Sequence, residues 1–311
     1  MKTRRTALLL CALLLCLGAP SLTALEIGAL FRLENLKFDS DRSKSDDSFS
    51  GEDFMWGMSV FATHTLSDKF SLEGGFYNDT ILRNISYTLF NYDAQYISLG
   101  LGPFFGFFNS TSTLLKSGLS TSVRLDLPGI FYLLFRSDNS FGGRLVEDGD
   151  YIQERNDISL GFYLPNVIAS LNLLTKKFTQ KLTDYEVGDS LTDYALKIDT
   201  FQKNRPYRVL IAFSYQTLAK KFFELSNTTT HTLNSIVLGT EVDFAVNQYL
   251  KLLFDLESSI YTFGQDELLG ISNPGPGGYL FRLNVGFQLN IDYLPKRRPQ
   301  APPSPKAVHE P

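Results

Sequence analysis

The most regular feature of the sequence is an alternation of apolar and polar residues that recurs to the end of the chain. From Phe281 to Ile291 every odd position is apolar, and the even positions carry Arg, Asn, Gly or Gln. Successive side chains of a strand point to opposite sides, so the segment Tyr279–Tyr293 is predicted to be a strand with one apolar face. Its apolar positions extend over about 40 Å, which at a tilt of about 45° crosses a bilayer.

The same alternation occurs in at least four earlier segments, at residues 54–63, 115–127, 207–216 and 235–244. Taken singly, each of these segments is equally consistent with a half-buried strand of a soluble sandwich. The connections between the periodic segments separate the two possibilities.

The connections alternate strictly along the chain between tight turns and other polar or glycine-rich joins. The tight turns are predicted at 66–69, 91–94, 128–129, 165–166, 203–206 and 246–248, and the other joins at 39–52, 78–80, 109–113, 137–150, 175–192, 218–232 and 264–278. Bacterial outer-membrane barrels have short turns at the periplasmic rim, longer loops outside and an even strand number. The pattern therefore predicts an all-β, up-and-down antiparallel transmembrane β-barrel of about fourteen strands. Twelve or sixteen are possible, because the count depends on how residues 70–108 are divided.

The two ends of the chain differ from the periodic region. Residues 1–24 begin with the basic residues Lys2, Arg4 and Arg5, continue with an apolar stretch and end with small residues. This order predicts a signal peptide that is cleaved after Ala24. The barrel is then predicted over 25–294. Residues 295–311 hold six Pro and four Lys or Arg, which predicts a disordered basic tail in the periplasm. Binding of that tail to an anionic wall polymer is the alternative.

Cysteine usage excludes several classes of site. Cys11 and Cys16 both lie in the predicted signal peptide, so the mature chain has no disulfide scaffold, no thiolate zinc site and no Cys nucleophile. Lipidation at Cys16 is a competing interpretation, which the bulky Leu15 before it disfavours.

Composition excludes further functions. The net charge of −4 argues against a nucleic-acid partner, which requires a basic surface. After residue 24 no apolar stretch is long enough for a helical membrane span. The three His residues are predicted to lie far apart, and no catalytic or phosphate-binding motif is present. We therefore expect no enzymatic activity, no cofactor and no metal.

The polar residues that bear on function are the charged residues predicted on the inward-facing side of the strands, the inward phase. An Arg or Lys facing lipid at the bilayer midplane costs about 2–4 kcal/mol, so these side chains must face the lumen. The candidate pore-lining residues are Arg32, Glu73, Lys116, Arg124, Asp126, Arg155, Asp157, Lys197, Arg208, Glu241, Asp243, Lys251, Asp255, Glu257 and Arg282. They favour a charged, water-filled pore, and the alternative is a salt-bridged interior that has no through-path. The acidic excess at Glu241, Asp243, Asp255 and Glu257, offset only by Lys251, predicts a slight cation preference.

The chain resembles bacterial outer-membrane β-barrel proteins over nearly its whole length after residue 24. The features that carry the resemblance are the predicted signal peptide, the up-and-down order of the strands and the last strand, Tyr279–Tyr293. The Phe- and Tyr-rich, Cys-free strands and the basic Pro-rich tail resemble treponemal (spirochaete) outer-membrane proteins in particular. The resemblance implies location in the cell outer membrane, the lipid bilayer as a partner and insertion by the outer-membrane assembly machinery. The chain departs from the usual pattern by continuing past Tyr293, where typical members end.

Three functions follow as expectations. The first is a porin-like passive channel for small hydrophilic solutes. The second is a surface-exposed adhesin or host-interaction barrel without a through-pore, whose outer loops bind host ligands. The third is transport of hydrophobic substrates, because fourteen strands resemble the outer-membrane fatty-acid transporters. Those transporters carry an N-terminal hatch, for which this chain has no room.

Overall fold

The computed structural model describes residues 24–34, 55–108, 110, 112–141, 145–183, 185–201, 205–223, 228–263 and 281–291. Within these ranges the chain forms fourteen strands, and no helix there is long and apolar enough to cross a membrane. The strands are β1 Ala24–Glu34, β2 Met55–Ser67, β3 Phe70–Asp79, β4 Arg83–Asp93, β5 Ile97–Phe107, β6 Leu115–Leu127, β7 Phe131–Ser140, β8 Tyr151–Leu164, β9 Val167–Lys181, β10 Glu186–Phe201, β11 Tyr207–Phe223, β12 Thr228–Ala245, β13 Leu250–Phe263 and β14 Phe281–Ile291. The predicted signal peptide and tail lie outside the described residues and stay predictions.

The strands form one closed antiparallel barrel in chain order. Each strand pairs with the strands before and after it, and β1 pairs with β14 to close the ring. In that closing pair Leu25 lies opposite Ile291 and Glu34 lies opposite Arg282. The predicted all-β, fourteen-stranded up-and-down barrel is confirmed.

The connections separate into two rims. The turns at 68–69, 94–96, 128–130, 165–166 and 246–249 all lie at the rim where β1 begins and β14 ends, which we call the turn rim. The described residues of the connections 80–82, 108–114, 141–150 and 182–185 lie at the opposite rim, which we call the loop rim. By the rule for bacterial barrels, the turn rim is expected to face the periplasm.

The barrel wall is tallest at β9–β12. The prediction of loops at 175–192 and 218–232 was wrong. Most of those residues continue β9, β10, β11 and β12, which are 15 to 18 residues long. Asp189 pairs with Phe178, and Lys221 pairs with Gly188, well above the predicted ends. The polar residues in these two segments do not end the strands. The backbone hydrogen bonds between neighbouring strands continue through them, where the wall rises above the lipid.

The outer face of the barrel is apolar around its circumference. In β5 the exposed apolar side chains Ile97, Leu99, Leu101 and Phe107 all lie on one phase, with Leu101 58% exposed, and the other strands repeat the pattern. Aromatic side chains lie near both rims, among them Trp56 at the loop-rim end of β2 and Tyr92 and Tyr207 near the turn rim. A closed barrel with this exterior is a transmembrane barrel, and it confirms the predicted location in the cell outer membrane.

Candidate channel lumen and its constriction

The fifteen predicted lumen residues all lie in strands, on the phase opposite to the exposed apolar side chains. In β6, for example, Lys116, Arg124 and Asp126 alternate with exposed apolar residues such as Val123 and Leu125. That these side chains line a pore stays a prediction. The contacts that they make in the lumen are described below.

The β3–β4 connection folds into the lumen. Ile81 and Leu82 lie in this turn, yet they are 2% and 0% exposed. They belong to one buried apolar cluster, the lumen cluster, which consists of Ile81, Leu82, Ile85, Phe104, Tyr151, Phe178, Leu191, Leu218, Leu233 and Val237. In a ring of fourteen strands β4 and β11 are diametrically opposite, so the cluster reaches across the barrel.

The length of the strands explains why this turn lies inside the barrel. β3 and β4 are 10 and 11 residues long, whereas β11 and β12 on the far side are 17 and 18. The β3–β4 hairpin therefore ends below the top of the opposite wall. Its two apolar turn residues can be buried there only by pointing across the lumen.

The turn has a well-defined internal geometry. Asp79 Oδ1 accepts hydrogen bonds from the backbone N–H groups of Ile81 and Leu82, both at 2.9 Å. Arg83 has a positive φ of 65°, a left-handed conformation that is uncommon for a residue with a side chain. Its guanidinium donates to the Thr80 carbonyl at 2.7 Å, which closes the turn.

Four strands hold the turn in the lumen through polar contacts. Arg83 Nη2 donates to Asp189 of β10 at 3.2 Å, and its guanidinium lies 5.3 Å from the Phe178 ring centroid. Asp79 pairs with Lys176 of β9, and Thr80 donates a hydrogen bond to Glu34 of β1. Gln153 of β8 donates to the Leu82 carbonyl. The turn is thus fixed to both sides of the barrel.

Glu34 is the centre of a charge network at the barrel closure. Its carboxylate is 1% exposed and lies 3.1 Å from Arg32 Nε and 3.0 Å from Arg282 Nε. Arg282 also donates to Glu257 of β13 at 2.8 Å. The Arg32 guanidinium lies over Gly57, where a Cβ atom would be only 2.6 Å from Nη2. Only glycine leaves room for this close approach.

The prediction that only Lys251 offsets the acidic wall was wrong. Arg282 pairs with Glu257, and Arg208 pairs with Asp243 at 3.2 Å and with Asp199 at 2.6 Å. These arginines come from β11 and β14, the neighbouring strands on either side of β12 and β13. The cation preference expected of the lumen is correspondingly smaller.

Ion pairs also fill the β6–β8 side of the lumen. Arg136 of β7 donates to Glu73 of β3 at 3.1 Å, a contact that spans the lumen between strands that are not neighbours. Asp138, fully buried, accepts a hydrogen bond from Ser120 at 2.6 Å and lies 3.6 Å from Arg155. Two pairs within single strands, Arg124–Asp126 and Arg155–Asp157, are also formed.

One charged pair lies at the loop rim. Lys116 Nζ donates to Asp150, in the connection 141–150, at 2.8 Å. Burial alone would raise the pKa of Asp150, but the hydrogen bond from Lys116 and those from nearby backbone N–H groups lower the pKa below its usual value.

Several residues that make contacts in the lumen were not predicted from the sequence. Asp79, Asp138, Lys176 and Asp189 fall inside the predicted joins 78–80, 137–150 and 175–192, yet the structure places all four residues in strands. Phe104 and Tyr151 are also fully buried in the lumen cluster. The available signal was the apolar pair Ile81–Leu82 directly after the short predicted join 78–80, together with apolar residues on the otherwise polar inward phase.

Below the lumen cluster, towards the turn rim, two cavities open into the lumen. One of about 380 Å³ lies beside Arg124, Asp126 and Tyr163. The other, of about 70 Å³, lies against β10–β13 and contains the acidic residues of that wall. In the described part of the chain, no group of His, Cys, Asp and Glu side chains is spaced to hold a metal ion.

Known outer-membrane barrels are similar to this chain in fold. An outer membrane channel from Pseudomonas putida F1 is 9% identical, with a TM-score of 0.46, and the match covers 88% of this chain and 97% of that chain. A bacterial polysaccharide outer-membrane secretin is 11% identical, with a TM-score of 0.45 and coverage of 88% and 100%. OmpT, an outer membrane protein of Vibrio cholerae, is 8% identical, with a TM-score of 0.41 and coverage of 88% and 99%.

No family model and no curated protein matches the sequence. At the identities and TM-scores above, the structural likeness says nothing about what this chain binds or transports. The resemblance to treponemal outer-membrane proteins stays a prediction. The closed fourteen-stranded ring and its apolar outer face identify the chain as an outer-membrane β-barrel.

Proposed function

We propose that this protein is a passive outer-membrane channel for small hydrophilic solutes, whose width is set by the inward β3–β4 turn. The observation that carries the proposal is the combination of a polar, charged inward phase with a turn that crosses the lumen. Eight-stranded barrels are filled by wall side chains, whereas barrels of 16–18 strands leave an aqueous channel. A barrel of fourteen strands lies between them, and here a turn rather than the wall narrows the path.

The chemistry of the lumen favours hydrophilic solutes. The cavity beside Arg124 and the cavity against β10–β13 are both lined by charged side chains. Such a lining attracts water and does not favour the hydrophobic substrates that strand number alone suggested. In this role the protein transports solutes and catalyses no reaction. The outer-membrane assembly machinery inserts it into the membrane.

A second candidate function has its own support. The lumen cluster and the ion pairs around it are consistent with a barrel that does not conduct and that acts through its outer loops as an adhesin. Two of the predicted outer joins, 39–52 and 264–278, lie outside the described residues. Solute flux separates the two functions, because only the channel allows it.

The test is a liposome-swelling measurement on refolded protein. We expect liposomes that contain the barrel to swell in isosmotic solutions of a monosaccharide, and more slowly in those of a trisaccharide, because the turn restricts the path. Liposomes that contain the heat-denatured protein serve as the control. Heat-modifiable gel migration verifies that the tested protein is a folded barrel.

Absence of swelling with the monosaccharide, for a barrel verified in this way, contradicts the channel. In that case the non-conducting adhesin becomes the better account. Equal rates for both sugars contradict the narrower statement that the turn sets the width.

A further inference from the structure

The larger of the two lumen cavities lies at the turn rim, between the ends of β5, β6 and β8. It measures about 380 Å³. Small-molecule pockets in proteins usually measure about 300–1,000 Å³, so this cavity, the turn-rim cavity, has room for one small molecule. Its polar lining consists of Gln95, Tyr96, Ser98, Arg124, Asp126 and Tyr163.

The strand register explains why these polar groups lie together. Ser98 of β5 is the cross-strand partner of Arg124 of β6. Two residues further towards the turn rim, the backbone N–H of Asp126 donates to the Tyr96 carbonyl at 2.8 Å. The Tyr163 hydroxyl comes from β8 and lies 2.8 Å from Asp126 Oδ2 and 3.1 Å from Arg124 Nη2. The groups therefore belong to one continuous contact set.

The charged side chains of the lining are one cation and one anion, which pair with each other. Arg124 Nη2 lies 2.8 Å from Asp126 Oδ2, and Nε lies 3.1 Å from the same oxygen. Because the pair carries no net charge, the cavity does not favour a ligand of either sign. It favours a neutral molecule that both donates and accepts hydrogen bonds.

Both members of this ion pair have hydrogen-bonding capacity that the barrel does not use. The two N–H groups of Arg124 Nη1 donate no hydrogen bond within the described ranges. Asp126 Oδ1 accepts only from the Tyr163 hydroxyl, at 3.0 Å, although a carboxylate oxygen has two lone pairs. Two adjacent hydroxyl groups of a sugar match this arrangement, because one can accept from the guanidinium while the other donates to the carboxylate.

The Arg124 guanidinium is held in position before a ligand binds. Its Cζ atom lies 4.6 Å from the centroid of the Tyr132 ring. That ring lies close over Gly161, where a Cβ atom would be only 2.1 Å from it. A side chain that is already fixed loses little conformational entropy on binding, so its hydrogen bonds contribute more to affinity.

The Tyr96 ring adds an apolar surface to the same cavity. This side chain is 49% exposed, and its hydroxyl accepts a hydrogen bond from Gln95 at 2.9 Å. Gly129 also lines the cavity, and apart from its chain neighbours no heavy atom lies within 4 Å of the position of a Cβ atom there. A sugar ring has C–H groups on its faces and hydroxyl groups at its edge, which suits an aromatic face beside a polar pair.

We propose that the turn-rim cavity binds one ring of a neutral sugar. Two adjacent hydroxyl groups bind to Arg124 and Asp126, and the C–H face of the sugar ring packs against Tyr96. The inference rests on the proposed function, because the channel brings the sugar to the cavity. It names neutral sugars as the class of hydrophilic solute for which the channel has a binding site.

The test uses methyl α-glucopyranoside as the probe and saturation-transfer NMR as the readout, on refolded full-length protein in lauryldimethylamine oxide. This detergent contains no sugar and no aromatic protons. Irradiation of the aromatic protons of the protein is expected to transfer saturation to the ring protons of the probe, since Tyr96 and Tyr163 line the cavity. D126A and Y96A are each expected to weaken binding about tenfold or more, the equivalent of about 1.4 kcal/mol.

Each variant has a matched control outside the cavity lining. D199A removes the carboxylate that pairs with Arg208 at 2.6 Å, and Y249A removes another exposed tyrosine, 54% exposed, from a turn at the turn rim. Both controls are expected to bind the probe like the wild-type protein. Losses in the controls equal to those in D126A and Y96A would mean unspecific association and would overturn the site.

Competition on the wild-type protein tests the class of ligand without any substitution. Glucose is expected to displace the probe, whereas acetate and methylammonium at the same concentration are not. Displacement by either ion as effective as that by glucose would overturn the preference for a neutral sugar. Absence of saturation transfer to the probe overturns the site itself.

The NMR readout does not require conduction. A protein that binds the probe but allows no solute flux retains this site and loses the channel proposal. A protein that allows flux but shows no saturation transfer loses only the site.

Discussion

Replacing Ile81 and Leu82 together by glycine is expected to raise the single-channel conductance of the refolded barrel several-fold. Both side chains are buried in the lumen cluster, where they fill the space between the turn and the β10–β12 wall. Removing them eliminates the apolar contacts that hold the turn across the lumen and admits water to the gap. The measurement is the current through single barrels in a planar bilayer.

The double variant should still form a barrel. Neither residue takes part in the strand ladder, whose last β3–β4 pair is Asp79 with Arg83. The control is I130G/V246G, which removes two exposed apolar side chains from turns at the turn rim and is expected to leave the conductance unchanged. An unchanged conductance of I81G/L82G would mean that the turn does not limit the path.

Replacing Glu34 by methionine is expected to lower the free energy of unfolding by about 3–5 kcal/mol, because one partner of a buried ion pair is lost. Glu34 is 1% exposed and is the only carboxylate within ion-pair distance of Arg32 in the described part of the chain. It also accepts the hydrogen bond from Thr80, so the same change loosens the turn.

Equilibrium unfolding of the refolded protein in urea measures this loss. The matched control is Glu154→Met, because Glu154 pairs with Lys177 and their side chains are 42% and 57% exposed. An exposed pair of this kind contributes less than about 1 kcal/mol. A similar small loss for both variants would show that the Glu34 network contributes little to stability.

The architecture could be predicted from the sequence because two simple signals agree. The alternation in segments such as residues 115–127 identifies strands and their apolar face, and the alternation of joins gives an even number of strands. Strand ends were harder to predict. Lys176 and Asp189 look like loop residues, yet they lie in β9 and β10, because polar residues continue the ladder where the wall rises above the lipid.

The contacts of the lumen could be predicted only in part. Pairs within one strand, such as Arg124 with Asp126, follow directly from the inward phase. Pairs between distant strands do not, because Arg282 and Glu34 are 248 positions apart and meet only when the barrel closes. The inward position of the β3–β4 turn depends on the difference in length between its hairpin and the opposite wall. That difference could not be predicted, because residues of the tall wall were assigned to loops at 175–192 and 218–232.

The most direct test of the account is whether the lumen is the conducting path. Ser122 and Val123 are neighbours in β6, with Ser122 on the inward phase and Val123 exposed on the outer face. Apart from Cys11 and Cys16, in the predicted signal peptide, the chain has no other thiol. A cationic thiol reagent is therefore expected to reduce the current through S122C and to leave V123C unchanged. An unreduced current through S122C, with modification verified by mass spectrometry, would contradict an aqueous path through this lumen.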